Sequence, residues 1–325
     1  MKGLLCLKKR AASIVPRDRG LRDFIVRRRI NRNWQLYVML IPVAAFFVVF
    51  CYMPMYGIVL AFKDYRAMRG IMGSPWAEPL TKYFVQFFNS PYFERVVGNT
   101  ILLSLESLIF NFPLPILLAL SINEVRSVKY KKFVQNITYA PHFLSVLVLV
   151  GVIRAFCNTD YGIVNIIIRK LGGEGYNWLQ RADMFRPLYI GSNIWQNIGW
   201  DSIIYIAALA GIDPQLHEAA MMDGANRLQR IWHINLPGIL PTMVILLILN
   251  SGQIMNVGFE KVYLMQNDLN LSTSDVIATY SYRIGIETVQ YSLSTAIGLF
   301  NSVINCVLLL IVNTCSRKLS ETSLW

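Results

Sequence analysis

Long apolar runs bounded by polar or charged residues divide the chain into six candidate spans, at 35–57, 96–123, 140–156, 188–211, 238–258 and 293–313. Each is close to the roughly 20 residues that carry an α-helix across a bilayer. The pattern therefore predicts an all-α membrane protein with six transmembrane helices. Pro42, Pro54, Pro113 and Pro115 fall within the first two runs and predict kinks, which a buried bundle tolerates when neighbours satisfy the freed carbonyls. Between the fourth and fifth runs lies a conspicuously polar stretch. It predicts a short helix over Glu218, Ala219, Ala220 and Met222, then a turn at Asp223-Gly224, where glycine supplies a positive φ. A second short helix is expected from Asn226 to about Asn235, ending at Leu236-Pro237 because proline removes a donor.

Composition strengthens the membrane reading. Apolar residues make up 54% of the chain and charged residues 15%, more apolar surface than a soluble protein of this length can hide. The formal charge of +12 would point to nucleic acid if it were spread over a groove, but 11 of the 31 Lys and Arg precede the first run. They form a positive-inside anchor, and no aromatic-rich basic groove follows them. Adding the basic residues of the loop at 124–139, of the polar stretch and of the C-terminal tail puts 19 of the 31 on one side. Six spans with both termini in the cytoplasm satisfy that bias and place the polar stretch inside. The expected organisation is a basic cytoplasmic segment at 1–33, a six-span domain at 34–316 and a short cytoplasmic tail at 317–325. Residues 22–34, which mix Phe24, Ile25, Ile30 and Trp34 with arginines, could lie along the interface as an elbow helix. The first run starts too late and is too long for a cleaved signal peptide, so it is read as a retained helix. The five cysteines share no repeated spacing, which indicates neither a disulfide framework nor a metal site.

Candidate chemistry lies in amides inside the spans. Asn193, Gln196, Asn197 and Trp200 recur at three- and four-residue steps along the fourth run, and Asn250, Gln253 and Asn256 along the fifth. Uncompensated amides are costly in hydrocarbon. These faces therefore line the interior or a wet cavity, or they hold the bundle together through bonds between helices. In the first case Asn193, Gln196, Trp200, Asn250, Gln253 and Asn256 are substrate-pathway residues. Amides bond hydroxyls and an indole ring stacks on a pyranose, which favours a sugar. Asp201, the sharpest charge within a span, either borders a water-filled cavity or bonds neighbouring helix groups. No Gly-Lys dipeptide occurs, so a phosphate-binding loop is excluded, and His217-Glu218 fails as a zinc motif because Met221 stands where the second histidine belongs. Nothing points to catalysis or to a cofactor in this chain.

The polar stretch, with Glu218, Ala219, Ala220, Asp223, Gly224, Ala225, Ile234, Leu236, Pro237 and Pro241 at fixed offsets, resembles the E-A-A-x-x-D-G-A signature of type I ABC importer permeases. Ile231 stands where many members carry an aromatic. Further stretches resemble the polysaccharide and oligosaccharide branch of the maltose-permease-like carbohydrate-uptake family of Gram-positive bacteria. They include Tyr52-Met53-Pro54-Met55-Tyr56-Gly57, Tyr139-Ala140-Pro141-His142-Phe143 and Asn256-Val257-Gly258-Phe259-Glu260, and the likeness runs from about Asn33 onward. The resemblance implies a type I permease fold in a bacterial plasma membrane. A cytoplasmic coupling helix at Glu218, Ala219, Ala220, Asp223, Gly224 and Ala225 would then lie between transmembrane helices 4 and 5. It also implies a heterodimer with a second, homologous permease and two cytoplasmic ATP-binding subunits that hold ATP and magnesium. An extracellular lipid-anchored solute-binding protein would deliver an oligosaccharide. The alternatives are an importer of the same class for another solute, a stand-alone secondary transporter or channel, and a membrane enzyme, which lacks any catalytic set.

Overall fold

The structure, a computed structural model, describes residues 34–320; the expected basic segment with its elbow helix, and the last residues of the expected tail, lie outside the described residues. The chain divides into two units after Ile58. The first is a helix that opens at Trp34 and, with its last turns, makes α1 (Trp34–Phe62). Pro42 sits inside regular helix, whereas ahead of Pro54 the helix widens into a π turn over Phe47–Tyr52. A proline ring collides with the carbonyl four residues before it, and the extra residue of a π turn moves that carbonyl aside. The expected kink is absorbed there as a change of winding.

The second unit is built from α2 (Phe93–Glu124), α3 (Val128–Tyr139), α4 (Val146–Phe156), α5 (Ala182–Ala210), α6 (Pro214–Met222), α7 (Arg227–Ser251), α8 (Phe259–Met265), α9 (Ile277–Tyr282) and α10 (Tyr291–Ser320). Among the described residues, α1, α2, α7 and α10 are each long and apolar enough to cross a membrane, and α3 with α4 make a fifth span if a bent pair counts as one. α5, whose 29 residues reach about 43 Å, is long enough to cross but, with Asn193, Gln196, Asn197 and Asp201 along it, is not one of these apolar helices. The described residues are thus all-helical, as the apolar runs predict.

Three boundaries differ from expectation. The third run is not one straight span, because the helix through Phe143 and α4 meet at 101°. Pro141 tightens the end of the first piece, Leu144 turns to extended backbone, and the Ser145 side chain accepts the Val148 N–H to start α4 afresh. The fifth helix stops at Ser251 rather than continuing to residue 258. Asn250, Ser251 and Gly252 are poor helix formers, and Gly252 lies so close to Leu309 that a Cβ there would meet its Cδ1 at 2.2 Å. Finally, the second loop helix does not end at Leu236-Pro237. A π turn over Ile231–Asn235 precedes the proline, as in α1, and the helix runs on into α7.

Packing centres on α5, which lies against α2, α3 and α7. A Cβ on Gly199 would meet the Thr138 carbonyl oxygen at 2.2 Å, so α5 and α3 are in near-backbone contact. One apolar cluster joins Leu103, Leu149, Val150, Phe185 and Tyr189 to Val262 and Val276. Another joins Ile116, Leu120, Tyr205, Leu209 and Ile239. The segment between α8 and α10 is held by a buried carboxylate. Asp275 is fully buried, takes Arg95 Nη2 at 2.6 Å and Arg283 Nη2 at 3.0 Å, and its backbone carbonyl accepts from Asn99 Nδ2 at 3.1 Å.

Candidate functional site: a polar cleft and an exposed helical loop

A cleft of about 360 Å³ opens among α2, α5 and the residues that end and follow α7. From α5 it is lined by Asn193 and Asp201, and from the third element by Asn250, Gln253 and Asn256. Four of the six expected pathway residues therefore come together, although the last three do not share a helical face, since the helix ends before Gln253. They converge because the turns at 252–258 fold back beside α10, where Asn256 Oδ1 accepts Asn301 Nδ2 at 3.0 Å and Asn305 Nδ2 at 3.1 Å. Asp201 of α5 is among the residues that line the cleft.

The other two candidates point elsewhere. Gln196 is buried and donates from Nε2 to the Leu144 carbonyl at 3.0 Å, satisfying an oxygen bared by the break between α3 and α4. Trp200 stacks on His142 with ring centroids 4.3 Å apart and planes 5° apart. His142 Nδ1 is bonded to Asn197 Oδ1 at 2.9 Å, and Asn197 Nδ2 donates to Asn193 Oδ1 at 3.0 Å. A continuous hydrogen-bonded line thus runs from the broken span to the cleft wall. Gln196 and Trp200 do not line this cleft, and of the amides only Asn193 both joins that line and faces it.

The cleft also has a polar wall not anticipated from sequence. Ser104, Ser107 and Asn111 of α2 line it, and Ser104 Oγ, Ser107 Oγ and Asn111 Oδ1 are buried without a hydrogen-bond partner among the described residues. Their spacing puts them on one face of α2, and that spacing was the available signal. Buried polar atoms left without partners inside a bundle are costly. Grouped around a cavity, they fit water or a hydroxyl-rich solute. The lining carries one carboxylate, Asp201, and no cationic side chain.

At the far end of α5 the chain enters the loop. Asp213 caps α6 by accepting the Gln215 N–H at 3.0 Å, and Pro214 opens the helix. At its other end the Gly224 N–H donates to Met221 O at 3.1 Å and the Ala225 N–H to Ala220 O at 2.9 Å. This is the paired bonding of a glycine-terminated helix. Gly224 has φ +76°, as the sequence predicts for this turn. Asn226 and Gln229 then bond each other's backbone in a capping box that starts α7. Glu218, Ala219, Asp223 and Gly224 are exposed, with Ala220 and Ala225 half-buried. Met222 is 88% exposed, and Leu216, Met221, Leu228 and Trp232 are exposed beside it. Lys261 of α8, outside the spans, is buried with Nζ 3.2 Å from the Tyr189 carbonyl, and burial pushes its ammonium down to about 7.

Residues 111–321 match the family described as the binding-protein-dependent transport system inner membrane component. The chain is 42% identical over 318 residues to protein LplB of Bacillus subtilis (strain 168), covering 98% of each chain. It is 43% identical over 290 residues to the polygalacturonan/rhamnogalacturonan transport system permease protein YteP of the same organism, covering 89% of this chain and 90% of that protein. It also superposes with a TM-score of 0.83 and 42% identity on a chain of the bacterial alginate ABC transporter crystallised with an alginate pentasaccharide-bound periplasmic protein. That match covers 91% of this chain and 99% of the other.

Proposed function

This chain belongs to the binding-protein-dependent transport system inner membrane components and is a membrane-embedded permease of an ABC importer; on that premise we propose that it carries oligosaccharides, and that ATP drives it through the loop at 213–225. The cleft carries the first part of the reading. Serine hydroxyls and amides without partners, gathered in an apolar bundle, provide donors and acceptors for sugar hydroxyls. The likeness to a polygalacturonan/rhamnogalacturonan permease and to an alginate transporter supports a saccharide. Because this chain lines the cleft with a carboxylate and no cation, the counter-charge for an acidic saccharide would come from a second permease subunit that completes the pathway.

Support for the second part comes from the loop. Two short helices, rigidly capped and joined at a left-handed glycine, present exposed Met221, Met222 and Leu216, a shape and surface suited to a groove on a soluble partner. In this reading Glu218, Ala219, Ala220, Asp223, Gly224 and Ala225 seat in a cytoplasmic ATPase that binds ATP and magnesium. The termini then lie in the cytoplasm of a bacterium whose plasma membrane holds the permease, and a solute-binding protein docks on the opposite face. ATP at one end and loaded binding protein at the other bias two states of one bundle. The test is reconstitution with a cytoplasmic ATPase and the solute-binding protein that associate with this permease. Uptake of the saccharide that co-purifies with the binding protein is expected to require ATP, and uptake that persists without the ATPase would favour a stand-alone transporter.

A further inference from the structure

The first turns of α7 hold an arrangement that neither the cleft nor the seating of the loop explains. Asn235 is 0% exposed, and both polar atoms of its side chain are sealed from solvent without a hydrogen-bond partner among the described residues. It stands about one turn from Ile231 and Ile239, which pack in the apolar cluster with Tyr205 and Leu209. A primary amide left bare in such surroundings opposes the conformation that holds it. Close by, Arg230 Nε is also buried and unpartnered, while its guanidinium reaches Glu124 at the end of α2 only at 4.0 Å. Between these two groups the backbone is wound as a π turn over Ile231–Asn235, with the Leu236 N–H donating to Ile231 O and Pro237 following. A π turn holds one residue more than an α turn, so removing it rotates one side of the helix against the other by about 100°.

We propose that Asn235 is a positioning residue for coupling: movement of the loop rewinds 231–235 from π to α and turns the unpaired amide out of the apolar cluster to hydrogen-bonding partners. In the conformation described here Pro237 favours the π winding and the bare amide opposes it, so the two sides of the turn lie close in energy where the loop's displacement enters the bundle. The bare amide makes the switch easier to throw in one direction. This rests on the reading of residues 213–225 as the seat of an ATPase.

The test uses the whole assembly in lipid nanodiscs, with binding-protein-stimulated hydrolysis of labelled ATP as the readout. Asn235→Leu removes the bare amide at nearly the same volume. It is expected to melt at the same or a higher temperature and to retain the ATPase pair, yet to lose at least fivefold of the stimulation with an unchanged KM for ATP. Asn235→Gln, which keeps an amide, is expected to recover stimulation to within about twofold of the unsubstituted protein. Pro237→Ala, which removes the reason for the π turn, is expected to lower stimulation while leaving association intact. Full stimulation in Asn235→Leu overturns the proposal. So does a lowered melting temperature or poor accumulation of that variant, because it would mean the amide is already bonded at rest through a buried water. If the unsubstituted permease fails to retain the ATPase pair, the reading of the loop falls and the proposal falls with it.

Discussion

Gly224 gives the cleanest perturbation, because its backbone strain and its surroundings separate. Its φ of +76° belongs to the left-handed region, and a Cβ built there meets nothing within 4 Å. Gly224→Ala therefore introduces no clash inside the chain, and its cost is conformational, about 1–2 kcal/mol for an L-residue in that region. That amount lowers the ratio of native to non-native loop by roughly 5–30-fold. The strain falls on the two bonds that close α6, Gly224 N–H to Met221 O and Ala225 N–H to Ala220 O. No buried cluster is touched, so the melting temperature of the isolated permease is expected to stay within the scatter of the measurement. ATPase retention and ATP-driven uptake are expected to fall by about 5–30-fold. Gly224→Val adds branched bulk to a surface read as a docking face and is expected to abolish both while the protein remains in the membrane. Normal uptake with Gly224→Val would refute the coupling role. A drop in the melting temperature of Gly224→Ala, matched by loss of the protein, would refute the claim that the loop is mechanically separate from the core.

Three more outcomes follow from the same geometry. Asp201→Asn removes the single carboxylate of the cleft; with like charges costing about 1–4 kcal/mol at close range, uptake of a uronate-containing oligomer relative to a neutral one is expected to rise at least about fivefold. An unchanged ratio in a competitive uptake assay would show that Asp201 does not face the solute. Asp275→Asn leaves Arg95 and Arg283 without their shared anion, and breaking such a buried pair costs about 3–5 kcal/mol. A melting temperature equal to that of the unsubstituted protein in detergent would contradict the role given to this carboxylate. Lys261 has its pKa lowered by burial to about 7 in the folded chain against 10.5 ordinarily; between those values the unfolded state binds the extra proton, so stability rises with pH across the window. Lys261→Met is expected to flatten that rise between pH 7 and 9, and a parallel slope in the variant would count against it.

Sequence pattern carried most of the architecture and about half of the cleft, and the shortfalls have physical causes. Apolar runs reveal spans because only length and hydropathy are needed, but they do not reveal a bend. The run at 140–156 looks continuous, and its 101° break depends on Pro141, extended Leu144 and the cap at Ser145 acting together. Pro237 reads as a stop by local rules, yet a π turn ending two residues upstream lets the helix continue, and winding of that kind leaves no mark in composition. The amide periodicity on α5 identified the right helix but mixed two faces. Asn193 faces the cleft, whereas Gln196, three residues on, faces the broken span. Ser104, Ser107 and Asn111 showed the same periodicity and are weaker signals only because single serines in apolar helices commonly bond their own backbone. Asp275 was beyond reach for another reason: its partner Arg95 lies 180 residues away, and no local pattern pairs them.

In the proposed coupling, connectivity would let the loop at 213–225 act on the cleft. The two helices flanking the loop are the ones that supply much of the cleft wall. α5 carries Asn193 and Asp201 and runs into α6 through Gly211, Ile212 and Asp213, while α7 begins at the far side of the loop and ends at Asn250 and Ser251. A push on α6 is therefore delivered to both walls through covalently continuous helices, with no intervening side-chain relay. The two arms are not equally stiff. α5 is continuous helix from Ala182 to Ala210 and packs closely on α3 at Gly199, so it is the stiffer of the two. α7 holds the π turn and Pro237 and Pro241 in its first half, so it can change winding while its end stays packed beside α10. Under the proposed coupling, one stiff arm and one compliant arm on a shared handle would convert displacement of the loop into relative rotation of the cleft walls. Stiffening the compliant arm should then block transport even where the loop still seats, whereas loosening the rigid one, for instance by opening the Gly199 contact, should let the loop move without moving the cleft.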